Sequence, residues 1–287
     1  MNKVFDGVAT AIVTPFNYKG CVDYVALNKL LSLQLGSNID AIVVLGTTGE
    51  SSTISFQERE QIIKYSKEII GNKAKLIVGV GSNNTVEALK YLRQAQALGA
   101  DACLAVTPYY NKCTQKGAFI YYKTLSDEAT IPIIIYNVPS RTGFNLNTST
   151  IEKISSLNNI VGIKEANQDI NHILDLFDKL KGKTAIYCGN DNLNYIFKCL
   201  GGSGVISVSS NAYPQLVKRL WTDKNIKQDC LYEFNKLIFV EPNPIPIKYV
   251  LYKLGYIKNI LRPPLTSISN LNIKPINLQL QKLKELV

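Results

Sequence analysis

Ile160-Val161-Gly162-Ile163-Lys164 reads as a short apolar strand that closes on a lysine, and the segment behind it, Ile170–Leu180, repeats Ile170, Ile173, Leu174 and Phe177 at helical spacing. That strand-then-helix unit recurs in both directions. Candidate strands stand at Val8–Val13, Asp40–Leu45, Leu76–Val80, Ala102–Thr107, Ile131–Asn137, Ala185–Cys188 and Gly204–Ser207. Helical-period stretches such as Tyr24–Leu35, Gln57–Ile70 and Thr85–Leu98 lie between them. The alternation runs about eight times at repeats of roughly 30 residues, which predicts parallel strands joined by helical crossovers. The class is α/β.

A doubly wound sheet and a closed barrel both satisfy that pattern. The count of about eight favours the barrel, and so do the polar and glycine residues that follow several different strands, as they would around one mouth. A dinucleotide fold would place Gly-x-Gly-x-x-Gly after its first strand, whereas Val8–Val13 runs into Thr14-Pro15-Phe16. The expected architecture is a (β/α)8 TIM barrel over residues 1–223 and a C-terminal helical domain over 224–287. In the latter, Asp229–Val240, Ile245–Leu254 and Pro275–Leu286 read as helices, broken by Glu241-Pro242-Asn243-Pro244 and Arg262-Pro263-Pro264.

Composition narrows the function classes. The chain has 287 residues, is 46% hydrophobic and 19% charged, and carries a net charge of +10. Its lysines and arginines are dispersed, as in Lys73-Ala74-Lys75, without the aromatic-basic interleaving that binds single strands, so nucleic acid is not an expected partner. No segment approaches the ~18 apolar residues of a membrane span, and residues 1–7 predict no signal peptide. Six scattered cysteines with no Cys-x-x-Cys pair argue against zinc or a redox dithiol and for a reducing, cytoplasmic setting. His172 is the sole histidine, too little for a His-rich metal centre. No metal is expected.

The loops after the strands carry the chemistry. An ammonium at the end of a buried strand loses hydration, which favours the free amine that attacks carbonyls, and this singles out Lys164. Gly46-Thr47-Thr48-Gly49-Glu50-Ser51 pairs hydroxyls with tight backbone turns, a cradle for a carboxylate, and Thr53 or Ser55 can cap the helix that follows. Thr107-Pro108-Tyr109-Tyr110-Asn111 offers phenols. Tyr136 ends a run of isoleucines with its hydroxyl expected at the mouth, and Arg141 can grip a carboxylate or make a surface salt bridge. Gly189-Asn190-Asp191 and the glycines around Ile206 allow a small ligand close to the backbone. An amine, a phenol, a Thr pair and an Arg suit a small keto acid, with the lysine iminium as electron sink and no cofactor.

These motifs, with Gly162-Ile163-Lys164-Glu165 and Glu241-Pro242-Asn243-Pro244-Ile245-Pro246, resemble those of the pyruvate-dependent class I aldolase and lyase family over essentially the whole chain. The resemblance is to members that condense pyruvate with L-aspartate 4-semialdehyde on the way to diaminopimelate and lysine. It implies a Schiff base on Lys164 and Tyr136 as general acid/base. Thr47 would link Tyr136 to a Tyr110 from a neighbouring subunit, Thr48 and the Ile206 backbone would hold pyruvate, and Arg141 would bind the aldehyde substrate's carboxylate. It further implies a homo-oligomer, a tetramer built as a dimer of dimers. A relative acting on sialic acid or a keto-deoxy sugar acid is the alternative; sialic acid lyases usually lack an arginine at the position of Arg141. A barrel serving only as an anion-binding module is a third reading.

In members inhibited by lysine, the effector site is lined by residues matching Ser51, Ser52, Phe56, Arg59, Asn83, Glu87 and Tyr109. Sensitive bacterial members carry histidine where this chain has Phe56 and Arg59, and a cation at Arg59 would repel lysine. Weak or absent feedback is expected. Cys113 stands where the family often has proline.

Overall fold

A computed structural model describes residues 3–223 and 229–284. In chain order the barrel is built from β1 (Gly7–Ala11), α1 (Tyr24–Gly36), β2 (Ala41–Val44), α2 (Phe56–Ile70), β3 (Lys75–Gly79), α3 (Thr85–Ala97), β4 (Ala102–Val106), α4 (Gln115–Glu128) and β5 (Ile133–Asn137). It continues through α5 (Pro139–Thr142), α6 (Thr148–Ser155), β6 (Ile160–Glu165), α7 (Ile170–Leu180), β7 (Ala185–Cys188), α8 (Asn194–Leu200), β8 (Gly204–Ser207) and α9 (Pro214–Thr222). The strands are parallel and in sequential order, and β8 returns to β1 through Val8↔Val205 and Ala9↔Ile206 to close the barrel. The (β/α)8 expectation holds. Most strands differ from their sequence-read limits by only one or two residues.

Period-two alternation sorts the strand side chains into two layers. Ala9, Ala41, Ile77, Ala102, Ile134, Ala185 and Ile206 fill the barrel interior. Val8, Ile42, Leu76, Cys103, Ile133, Ile163 and Val205 pack outward against the helices. Between β5 and β6 the register shifts so that Ile134 pairs with Gly162 and Tyr136 with Lys164, which sets Lys164 in the inward series. Gly162 below it has no room for a side chain, since a Cβ there would lie 2.9 Å from the Tyr187 ring.

Beyond the barrel come α10 (Asp229–Leu237), α11 (Ile245–Lys253) and α12 (Asn270–Lys284). The expected domain boundary abuts residues 224–228, outside the described residues, as is the end of the helix expected to reach Leu286. That helix begins earlier than expected, at Asn270, with Pro275 inside it. The segment shares the helix-layer core of the barrel through Leu231, Phe234, Ile247, Val250 and Leu283. It is also tied in by charge. Lys248 of α11 is fully buried against Glu50, also buried, and donates to the Ile260 carbonyl at 2.9 Å.

Arg262 makes the second tie. Its guanidinium forks onto Glu58 of α2 at 2.5 and 2.9 Å and donates to the carbonyls of Gly20 and Thr53. Ser55, not Thr53, caps α2: its hydroxyl receives Glu58 N–H while Glu58 Oε2 receives Ser55 N–H, a capping box. The hydrogen bond from Arg262 is the largest effect holding the Glu58 carboxyl down, from an ordinary 4.5 to about 2. A depressed carboxyl contributes stability that is complete above its unfolded pKa and disappears as pH falls through the folded one. The gap in urea-denaturation stability between wild type and Glu58→Gln should therefore narrow steadily from about pH 4.5 down to about pH 2; a gap constant across that window would refute the linkage.

Candidate active site

The residues singled out in the sequence converge at the C-terminal ends of the strands. A cavity of about 480 Å³ is lined by Thr48, Tyr136, Arg141, Lys164, Gly189 and Asn243, among others. Lys164 is only 5% exposed, so it is a buried lysine and not one that ends its strand in water. Its Nζ stands 4.2 Å from the centroid of the Tyr136 ring, the neighbour in register on β5. The amine thus lies against an aromatic face, in a side chain that lines the cavity.

Behind Lys164, the fully buried Glu165 faces the helix layer. Its carboxylate accepts from Asn137 Nδ2 at 3.0 Å and from the Asn167 backbone N–H at 2.7 Å, and lies 3.1 Å from His172 Nε2 on α7. These bonds anchor the end of β6. They also account for the single histidine, which takes no part in lining the cavity.

Thr47 lines two adjoining cavities. One, about 270 Å³, also touches Arg141, Asn243, Ser51 and Tyr109. The other, about 170 Å³, reaches Tyr136 on one side and Arg59 and Tyr91 on the other. Thr47 and Tyr136 thus share the lining of one cavity. Tyr110 lines none of these cavities: it is 90% exposed on the loop after β4, with a positive φ of 70°. Ile206 lies in the barrel interior on β8, 1% exposed.

Arg141 sits in α5, a single turn closed by Gly143 in the left-handed region, and its Nη2 donates to the Asn243 carbonyl at 2.9 Å. Asn243 Nδ2 in turn donates to Thr48 Oγ1 at 2.9 Å. Sequence reading took Glu241-Pro242-Asn243-Pro244 only as a helix break and part of a motif. Its proximity to the barrel mouth comes from a contact spanning about 200 positions, for which no local pattern exists.

Among the supposed effector residues, Ser51, Ser52, Arg59 and Tyr109 line the 170 Å³ cavity. Asn83 receives the Asn111 amide on its carbonyl and Glu87 lies in the first turn of α3. Arg59 is 2% exposed, donates to the Gly79 carbonyl at 2.6 Å and stacks 3.9 Å over Tyr91; burial holds its pKa down to about 10. Phe56 stacks on Tyr91 with ring centroids 6.4 Å apart.

Residues 4–282 match the model of the dihydrodipicolinate synthetase family. The chain belongs to this family. It is 46% identical over 272 residues to the 4-hydroxy-tetrahydrodipicolinate synthase of Fervidobacterium nodosum, covering 91% of this chain and 92% of that one. Among solved structures, dihydrodipicolinate synthase from Thermotoga maritima superposes with a TM-score of 0.94 at 40% identity, covering 98% and 99% of the two chains. A monomeric dihydrodipicolinate synthase variant does so equally well, at 0.94 and 40%, over 97% of each chain. Among the described residues no helix is long and apolar enough to cross a membrane, and no group of His, Cys, Asp or Glu could hold a metal ion.

Gly189 tests how closely this member of the family fits its lysine. A Cβ there would lie 3.0 Å from the Glu165 carbonyl and 3.1 Å from Lys164 Cε. Gly189→Ala should displace the amine by a fraction of an ångström and slow its reaction with a keto acid by about tenfold to a hundredfold. Stopped borohydride trapping with pyruvate reads this directly, and an unchanged rate would mean the lysine has slack.

Proposed function

We propose that the protein is a lyase of the class I aldolase type, a 4-hydroxy-tetrahydrodipicolinate synthase that joins pyruvate to L-aspartate 4-semialdehyde for diaminopimelate and lysine biosynthesis. The observation that carries the reading is a buried Lys164 amine against Tyr136, opening into a cavity that also holds a threonine hydroxyl and an arginine.

In this reading Lys164 Nζ attacks C2 of pyruvate and water leaves, giving an iminium that draws electrons from C3. Tyr136 moves the protons of these steps, with Thr47 beside it relaying them onward. Loss of a C3 proton gives the enamine, whose carbon attacks the aldehyde carbon of the second substrate, and the resulting alkoxide takes up a proton. The substrate's own amino group then adds to C2 and expels the lysine amine, closing the ring and restoring Lys164. No cofactor enters. Thr48 and backbone at Ile206 receive the pyruvate carboxylate, Gly189 leaves room for it, and Arg141 receives the carboxylate of the aldehyde.

The exposure of Tyr110 supports its use in a neighbouring subunit, where it would complete the relay through Thr47. We therefore read the active form as a homo-oligomer, a dimer of dimers. Free thiols at Cys21, Cys103, Cys113, Cys188 and Cys199 support a cytoplasmic enzyme. The alternative, aldol chemistry on a sugar acid, would use the same lysine but leave the Arg141 N–H groups not bonded to Asn243 without the carboxylate of an aldehyde substrate to bind.

An assay of pyruvate with L-aspartate 4-semialdehyde, coupled to reductase and NADPH, should show product-dependent NADPH loss. Lys164→Ala should abolish both this and the borohydride-trapped pyruvate adduct, and Tyr136→Phe should lower turnover by about 10²–10⁴-fold. Trapping without condensation would move the aldehyde partner to a sugar acid. Feedback by lysine should be weak, because the Arg59 guanidinium lines the supposed effector pocket and repels a like charge. Half-inhibition at submillimolar lysine would overturn that expectation.

A further inference from the structure

We infer that Asn243 is a positioning residue that fixes which way the Thr48 hydroxyl points, so that its proton is presented to the keto-acid carboxylate. This rests on the reading of Thr48 as a carboxylate-binding group. A threonine hydroxyl has one proton to give and lone pairs to receive. Asn243 Nδ2 donates to Thr48 Oγ1 at 2.9 Å, so that side of the oxygen is used as an acceptor. Among the described residues no carbonyl or carboxylate takes the Thr48 proton. The direction left for it is the cavity that Thr48 shares with Lys164.

Asn243 is well fitted to impose that polarity. It is 6% exposed and flanked by Pro242 and Pro244, which restrict the backbone on both sides. Its carbonyl is the acceptor for Arg141 Nη2 at 2.9 Å, which leaves the other guanidinium N–H groups without an acceptor among the described residues. One residue of the C-terminal segment thus touches both groups proposed to hold carboxylates. A threonine whose hydroxyl rotates freely must be ordered as the ligand binds. Here the ordering is done in the folded protein.

The polarity gives a test that a purely structural role would fail. Asn243→Asp keeps the shape but can only accept, so it captures the Thr48 proton and sets a negative charge beside the carboxylate site. Asn243→Ala merely frees the hydroxyl. The pyruvate concentration giving half-maximal borohydride trapping on Lys164 should rise about tenfold or more in N243D and about threefold in N243A, the scale of a hydrogen bond to a charged group against a neutral one. The effect of N243A should vanish in a Thr48→Val background, which keeps the experiment decisive even if N243D does not fold. Half-saturation unchanged in both variants, or an N243A effect that persists with Thr48→Val, would overturn the assignment. Trapping needs no second substrate, so a wild-type protein that traps pyruvate without condensing L-aspartate 4-semialdehyde would sink the proposed reaction and leave this measurement to decide the role of Asn243.

Discussion

The Glu50 carboxylate is the point on which the site is built. It closes the turn that carries Thr47 and Thr48, with its own backbone in the left-handed region at φ 55°, and both its oxygens are occupied from the C-terminal segment. Lys248 takes Oε1, and the Arg262 backbone N–H takes Oε2 at 3.0 Å. Phe16 lies beneath both cations, 4.1 Å from Lys248 Nζ and 4.4 Å from Arg262 Cζ. Burial is the main influence on Lys248 and draws its pKa from 10.5 down to about 8, against the opposing pull of Glu50. Taking two charges out of water returns little net stability, and removing either partner alone would strand the other. What the pair provides is a fixed place for the turn. The helical segment after the barrel is therefore part of the site's construction, acting on the Thr pair through Glu50 and on Thr48 directly through Asn243.

Legibility in the sequence followed the range of the interaction. The strands announced themselves by apolar runs, α2 by its capping residues and the barrel by repetition, because each of these signals is contained within a few neighbouring positions. Lys164 was legible for the same reason: a lysine closing an apolar run is a local anomaly. Lys248 shows the opposite case. In Ile245-Pro246-Ile247-Lys248-Tyr249 it reads as the polar position of an amphipathic helix, yet it is completely buried, because its partner lies 198 residues earlier. Asn243 and Thr48 are 195 apart. Helix α12 also escaped its expected limits. Proline normally ends a helix by removing one bond to the carbonyl four residues back, but the residue four back from Pro275 is Leu271, 88% exposed, where water can replace the lost donor.

Two tyrosines flank Lys164 in the same layer of the barrel, Tyr136 on β5 and Tyr187 on β7, and geometry separates their roles. Tyr187 stacks on Phe5 with ring centroids 4.4 Å apart and spends its hydroxyl on the Phe5 carbonyl at 3.0 Å. Burial pushes its pKa up to about 12, so it is neutral, committed and turned toward the floor of the barrel. It plugs the interior beneath the lysine. Tyr136 has its ring against the amine and lines the open cavity. Lys164 opens into the cavity at the mouth of the barrel, which Tyr136, Thr48 and Arg141 also line. Of the two tyrosines beside Lys164, one thus fills the space beneath it and the other lines the cavity into which the lysine opens.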